Sequence, residues 1–416
     1  MTPPRNASRF DPPSRGGWRS ALVIGALALT FFAPTAPAAA APSPCAYLAA
    51  QIDAAPSGPV FLASYPTAGD GPLKDTAFLY DNAAAAIALV GCNEVPRARR
   101  IGDAILVALA HDRHWHDGRL RDAYLADAAA GPVKLSGWWD NMQGRWFEDA
   151  YQTASDNGNM AWAMLALLAL DRATNDPRYR AGAVRIAAWV ERWRDGRGAG
   201  GFTGGTFGGE PSPVALTWKS TEHNTDLAAA FAALAQTTGD KRWRTDARAA
   251  EAFVRAMWRP SCNCFAVGSG EDGVTPNTLL ALDAQIWPLL ALGNTARYAP
   301  VLATVRGQLA QSGGYAYSEA REGLWTEGTA QMALLAALSG RREEAAALTR
   351  VIASMRTPDG AYYASDRSAL PTGFMLQTDP TKAREYFHIR ALAAAAWAAL
   401  AQRRFNPFTG MRALLR

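Results

Sequence analysis

The chain has 416 residues, 49% hydrophobic and 19% charged, which supplies a large folded core and excludes a disordered or fibrous class. Its formal charge at pH 7 is +5, of which four Arg against one Asp in residues 1–40 carry +3, leaving +2. Lys and Arg are scattered along helix faces without a basic patch, so no nucleic-acid partner is expected.

In chain order, residues 1–40 read as a secretory signal peptide. Arg5, Arg9, Arg15 and Arg19 precede the apolar run ALVIGALALTFFA (21–33), and small residues follow up to Ala38 and Ala40. The run is shorter than the ~20 residues that span a bilayer, so removal and export to a secreted or periplasmic location are expected, without stable membrane insertion. Residues 41–416 then form one domain. CAYLAAQIDAA (45–55) is a short apolar-periodic helix.

From Asp75 onward, six Gly-, aromatic- and acid-rich loops each run into an Ala/Leu-rich helix, starting near residues 76, 156, 222, 277, 325 and 388. More charged helices follow the first five, at roughly 96–112, 178–195, 242–258, 296–311 and 342–356. In RYRAGAVRIAAWVERWRD, Tyr179, Ala183, Ile186, Val190 and Trp193 recur at three- and four-residue steps, the stripe of a helix buried on one side. AAAAIALVG and MAWAMLALLAL are apolar all round and predict helices covered on both sides. The sixth inner helix lacks an outer partner, and residues 45–55 supply it from the other end of the chain. The expected fold is all-α, an (α/α)6 toroid of six helical hairpins closed by the N-terminal helix against the C-terminal one. No strand pattern of any length is evident beyond weak runs near 200–209 and 313–319.

Such a ring brings the inner-helix starts to one cleft. TWKSTEHNTD (217–226) is the densest polar group: Ser220 or Thr221 caps the helix, Glu222 and Asp226 share a face, and His223 and Asn224 stand beside them. Asp156 and Asn157 open the second inner helix, Tyr80 and Asp81 the first, Trp325 and Glu327 the fifth, and Glu385, Tyr386 and His388 the sixth. Asp283 is placed well inside the fourth, as a buried structural carboxylate. The long excursion 112–155 carries Trp138 and Trp139, suited to stacking on a flat ligand rim, as is Trp218. Three of the five His lie in HDRHWHDG (111–118), which reads as a solvated helix end. Cys45, Cys92, Cys262 and Cys264 read as structural disulfides, Cys45 and Cys92 tying the start of the mature chain to the end of the first inner helix. No metal site and no cofactor motif is expected.

This layout resembles the six-hairpin glycosidase superfamily, and more distantly its α-1,6-mannanase-type hydrolases. The quoted residues are the helix start at Asp156, the following TNDPRYRAGA and the polar opening STEHNTD. The endo-mannanase branch shows two adjacent Asp at such a start; here Asn157 takes the second place. The resemblance implies an exported glycoside hydrolase acting on a poly- or oligosaccharide. Asp156 and Glu222 would be its acid/base pair, with Asp226 and Glu327 as substitutes. Tyr80, Asp81, Trp138, Trp139, Asn157, Trp218, His223, Asn224, Trp325 and His388 would contact sugar. A polysaccharide lyase on the same toroid, using Tyr or His with Asn or Arg, is the alternative, followed by a sugar epimerase and a non-catalytic glycan-binding or exopolysaccharide accessory protein.

Overall fold

The computed structural model describes residues 41–293 and 295–412. The leader read from residues 1–40 lies outside the described residues. Six inner helices, α2 (Leu79–Gly91), α4 (Asn157–Thr174), α6 (Thr221–Thr238), α8 (Leu282–Ala291), α11 (Thr326–Leu338) and α13 (Leu392–Arg403), form a ring in which each packs on the next. α13 returns to pack on α2, so the ring closes. The outer helices α3 (Val95–Ala110), α5 (Pro177–Val190), α7 (Lys241–Ala256), α10 (Val301–Gln308) and α12 (Arg342–Ser354) lie against the inner helices that precede them. The sixth outer position is filled by α1 (Pro44–Ala54), which packs on α13 as its sequence predicts. The fourth outer helix is broken: a single turn, α9 (Thr295–Tyr298), precedes α10, and Pro300 sits between them.

Local chemistry sets these boundaries. Asp176 caps α5 by accepting from the Arg178 N–H, with Pro177 in the first turn, and Asp240 caps α7 in the same way through Arg242. Gly239 ends α6 at φ 75°, a left-handed cap that glycine adopts without strain. On α2, Ala83, Ala84, Ala85, Ala86 and Ala88 are fully buried, and their small side chains let the helix lie close to both neighbours. On α7 the buried Trp243, Asp246, Ala250, Phe253 and Val254 form a single stripe.

Two inner helices start later than the sequence suggests. α8 begins at Leu282, five residues after the expected start, because Pro276–Asn277 pair with Gly268–Ser269 as strands. Asp283 is therefore in the first turn of its helix rather than deep inside it. α13 begins at Leu392, because Ala383–Phe387 pair with Ala369–Met375 in a hairpin that the sequence reading missed. Pro371 and Gly373 interrupt the alternation of the first strand, and its register shifts between Pro371 and Met375, which hides the period-two signal.

The upper rim repeats with the ring. The first residue of every inner helix donates its backbone N–H to the loop that leads into the next inner helix. Leu79 donates to Asp122 O (2.9 Å), Asn157 to Gly204 O (2.9 Å), Thr221 to Val267 O (2.8 Å), Leu282 to Tyr317 O (2.8 Å), Thr326 to Ala364 O (3.0 Å) and Leu392 to Ser64 O (2.8 Å). These bonds satisfy N–H groups that a helix start otherwise leaves open, and they fix each loop over the axis. The fourth residue of four inner helices ties that helix to its own entry loop. Asn82 exchanges two hydrogen bonds with the Leu62 backbone, Asn224 two with Phe202 and Gln285 two with Phe265, while Thr329 accepts from the Tyr315 N–H.

Disulfides join Cys45 to Cys92 and Cys262 to Cys264. Among the described residues no helix is long and apolar enough to cross a membrane.

Candidate active site

With the rim in register, equivalent helix positions carry equivalent tasks. The second residue of each inner helix faces the axis: Tyr80, Gly158, Glu222, Asp283, Glu327 and Ala393. One turn deeper, Trp162, Asp226, Trp287, Gln331 and Trp397 form a plug. The Trp162–Trp287, Trp162–Trp397 and Trp287–Trp397 ring centres lie 5.4, 5.7 and 5.9 Å apart, and Phe408 closes the layer 5.5 Å from Trp162 and Trp287. These three Trp are at most 1% exposed, so they support the cleft floor and meet no ligand. Tyr80 stands edge-on to Trp162 at 4.9 Å. Its hydroxyl accepts from Trp397 Nε1 (2.7 Å) and donates a short hydrogen bond to Glu327.

Above the plug the carboxyl groups divide into neighbouring pairs. Asp122, absent from the sequence reading, lies beside Asp156: its Oδ1 accepts from the Asp156 N–H (2.8 Å) and from Asn159 Nδ2 (2.8 Å). Burial pushes Asp122 up to about 7, against those hydrogen bonds. Asp156 is raised well above the carboxylate range by burial and then by the Asp122 charge, and its Oδ1 has no partner among the described residues. Glu222 and Asp283 repeat the arrangement. Burial, then Asp283, raises Glu222 well above its usual value, whereas Asp283 accepts from the Ala284 N–H (2.6 Å) and reaches only about 6. Each pair thus holds one proton firmly on Asp156 or Glu222, leaving the better hydrogen-bonded partner to ionise first. Burial raises Glu327 to about 8 and Asp81 to about 7. His223 is pushed down to about 4 by burial and so is neutral at physiological pH.

Several sequence expectations change place. Asp226 is fully buried one turn below Glu222, beside Trp162 and away from the cleft surface, so it cannot reach a substrate. Asn224 and Asn157 are also fully buried and face entry-loop backbone, Asn157 Nδ2 donating to Thr203 O (2.8 Å); both are ties within the fold. Trp325 is 2% exposed and packs under Tyr317 and Tyr386. His388 lies on the rim, stacked 4.0 Å from Tyr363 with Nδ1 on Ser365 O, outside the acid ring. The structure brings together Tyr80, Asp81, Asp156, Glu222, His223, Glu327 and Tyr386, moves Asp283 from a structural role into the same group, and adds Asp122, Tyr151, Tyr317 and Arg384. Trp218 flanks His223 at 5.6 Å. Gly158 leaves room for that imidazole, since a Cβ there would sit 2.5 Å from His223 Cδ2. Trp138 and Trp139 belong to a hairpin (Trp138–Asp140 with Arg145–Phe147), where Trp139 is paired with Trp146 and both are about half exposed. Among the described residues no group of His, Cys, Asp and Glu is arranged to hold a metal ion.

No family model matches the chain, and neither does any curated protein. Among solved structures it is similar to a wild-type glycosidase, at 15% identity and a TM-score of 0.59 over 86% of this chain and 94% of that one. It is similar to a cellobiose 2-epimerase from Spirochaeta thermophila, at 15% and 0.59 over 86% and 93%. An α-amylase from Clostridium perfringens matches at 11% and 0.59 over 86% and 96%. At these identities the likeness lies in the fold alone, the closed (α/α)6 toroid of helical hairpins.

Proposed function

We propose that the protein is an exported glycoside hydrolase that cleaves a poly- or oligosaccharide in the central cleft, residues 41–416 forming its single catalytic domain. The observation that carries this is the convergence of carboxyl groups from five of the six inner-helix starts and one rim loop, with protonation divided within neighbouring pairs. Glycosidic hydrolysis requires one protonated and one ionised carboxyl group. Glu222, which keeps its proton, is the acid that protonates the departing glycosidic oxygen. The Asp122–Asp156 pair takes the proton of the water that attacks the anomeric carbon, Asp156 lining the cleft and Asp122 carrying the first negative charge. Tyr80, Asp81, His223 and Trp218 would contact the sugar, with the Trp138–Trp139 hairpin as an outer rim. Export rests on the basic and apolar leader, and two disulfides suit an oxidising compartment.

The test is reducing-end release from a polysaccharide panel by the mature protein, Asp156→Asn and Glu222→Gln. A loss of about 10²–10⁴-fold in both variants, with melting temperature retained, supports the pair. Activity surviving either change moves catalysis to Glu327 and Asp283. An absorbance rise from an unsaturated uronide without hydrolysis would establish a lyase, and inversion at a reducing sugar without cleavage an epimerase.

A further inference from the structure

Among the described residues the acid ring is overlooked by one cation. Arg384 lies on the strand Ala383–Phe387, whose hairpin partner fixes it through pairings at Leu370–Tyr386 and Pro371–Glu385 and through the Thr372 hydroxyl, which donates to Arg384 O at 2.9 Å. Its charge lies within Coulombic reach of Asp81, Asp122, Asp156, Glu222, Asp283 and His223, groups at four inner-helix starts and one rim loop. The side chain is exposed to the water of the cleft, 5.6 Å from the Tyr151 ring.

Elsewhere in the chain arginines near acids pair with them: Arg121 holds Asp112 and Glu210, and Arg113 holds Glu148 and Glu210. Arg384 holds none; among the described residues no acceptor lies within ion-pair distance of its guanidinium. A guanidinium presents a planar fork of N–H donors that matches a carboxylate or sulfate bidentately.

We propose that Arg384 makes the cleft selective for sugars bearing an anionic group, a uronate carboxylate or a sulfate ester, which docks on its guanidinium. This rests on the cleft being a carbohydrate site. It does not require that the bound sugar be hydrolysed.

Calorimetric titration tests it, in a Glu222→Gln background so that the ligand persists. The probes are a uronate oligosaccharide with its carboxyl-reduced counterpart, and a sulfated oligosaccharide with its desulfated counterpart. A charged member that binds about tenfold or more tighter than its neutral counterpart supports the proposal, provided Arg384→Gln removes that gap and leaves the neutral ligand's affinity unchanged. Whichever pair shows the gap identifies the anion. Equal affinities within both pairs overturn it, as does an Arg384→Gln variant that weakens charged and neutral ligands alike, the mark of a residue that only tunes the carboxyl groups. Charge preference without bond cleavage by the wild type would remove the hydrolase reading and keep this one. Cleavage of neutral glycans without charge preference would do the reverse.

Discussion

Glu327 shows how one side chain carries both the function and its cost. It is 5% exposed, accepts a short hydrogen bond from Tyr80 and ionises near 8 in the folded protein, against about 4.3 in an unfolded chain. A carboxyl group whose folded value is raised stabilises the fold fully below its unfolded value, and that contribution is lost as pH rises through the folded one. Glu327→Gln, uncharged at every pH, should therefore melt close to wild type at pH 4 and roughly 2–6 °C higher at pH 9. Equal melting temperatures at pH 9 would mean that Glu327 is already ionised and solvated in the cleft. Tyr80→Phe removes the donor that favours the ionised form, so the value for Glu327 should rise further. A pH titration of Glu327 by NMR in wild type and Tyr80→Phe reads the shift directly.

At the scale of the element, the rim register explains why some polar residues at helix starts are structural. Asn224 looked like a ligand contact because it stands between His223 and Asp226. Its position is nevertheless equivalent to Asn82, Gln285 and Thr329, each of which binds entry-loop backbone. Asn224→Ala would strand a buried N–H and a buried C=O of Phe202, at a cost of about 2–4 kcal/mol in unfolding free energy. Chemical denaturation measures it; a change within about 0.5 kcal/mol, the range of an uneventful surface substitution, would return Asn224 to the ligand-binding set. The toroid was legible because all-apolar inner helices alternate with one-sided outer helices, and Ser220 was legible as a cap through its place before a polar first turn. Asp122, Tyr317 and Arg384 were not, because each reaches the cleft from a loop or strand placed by pairing with a distant segment. Asp122 lies 34 residues before Asp156, whose N–H it accepts, and no local period connects the two. Aligning the six helix starts at their first residues would have exposed the axis-facing positions, but Asp283 fell out of that alignment once its helix was started at residue 277.

The outer wall of the ring is completed by a helix from the opposite end of the chain. α1, with 11 residues, must cover the outer face of α13 from the opposite end of the chain, and the contact closes across more than 300 residues. Tyr47, Leu48 and Ile52 are the buried residues of α1 that do this, and Arg356 reaches the Pro42 carbonyl from the end of α12. The Cys45–Cys92 bond fixes the same helix to the end of α2, closing a loop of 47 residues, so α1 is held by a covalent tie on one side and by packing on the other. In the chain-entropy account such a loop is worth about 4 kcal/mol. A native ring of stacked hairpins can lose this one helix without exposing the plug of Trp162, Trp287 and Trp397, so reduction should act locally before it acts globally. Hydrogen exchange on Cys45→Ser/Cys92→Ser should show faster exchange in α1 and along α13, with α4, α6 and α8 protected as in wild type. The melting temperature should fall by several degrees, roughly as a loss of 2–4 kcal/mol requires in a domain of this size. Uniform acceleration across all six inner helices would instead mean that the toroid unfolds as one unit and that α1 is the clasp on which the whole ring depends.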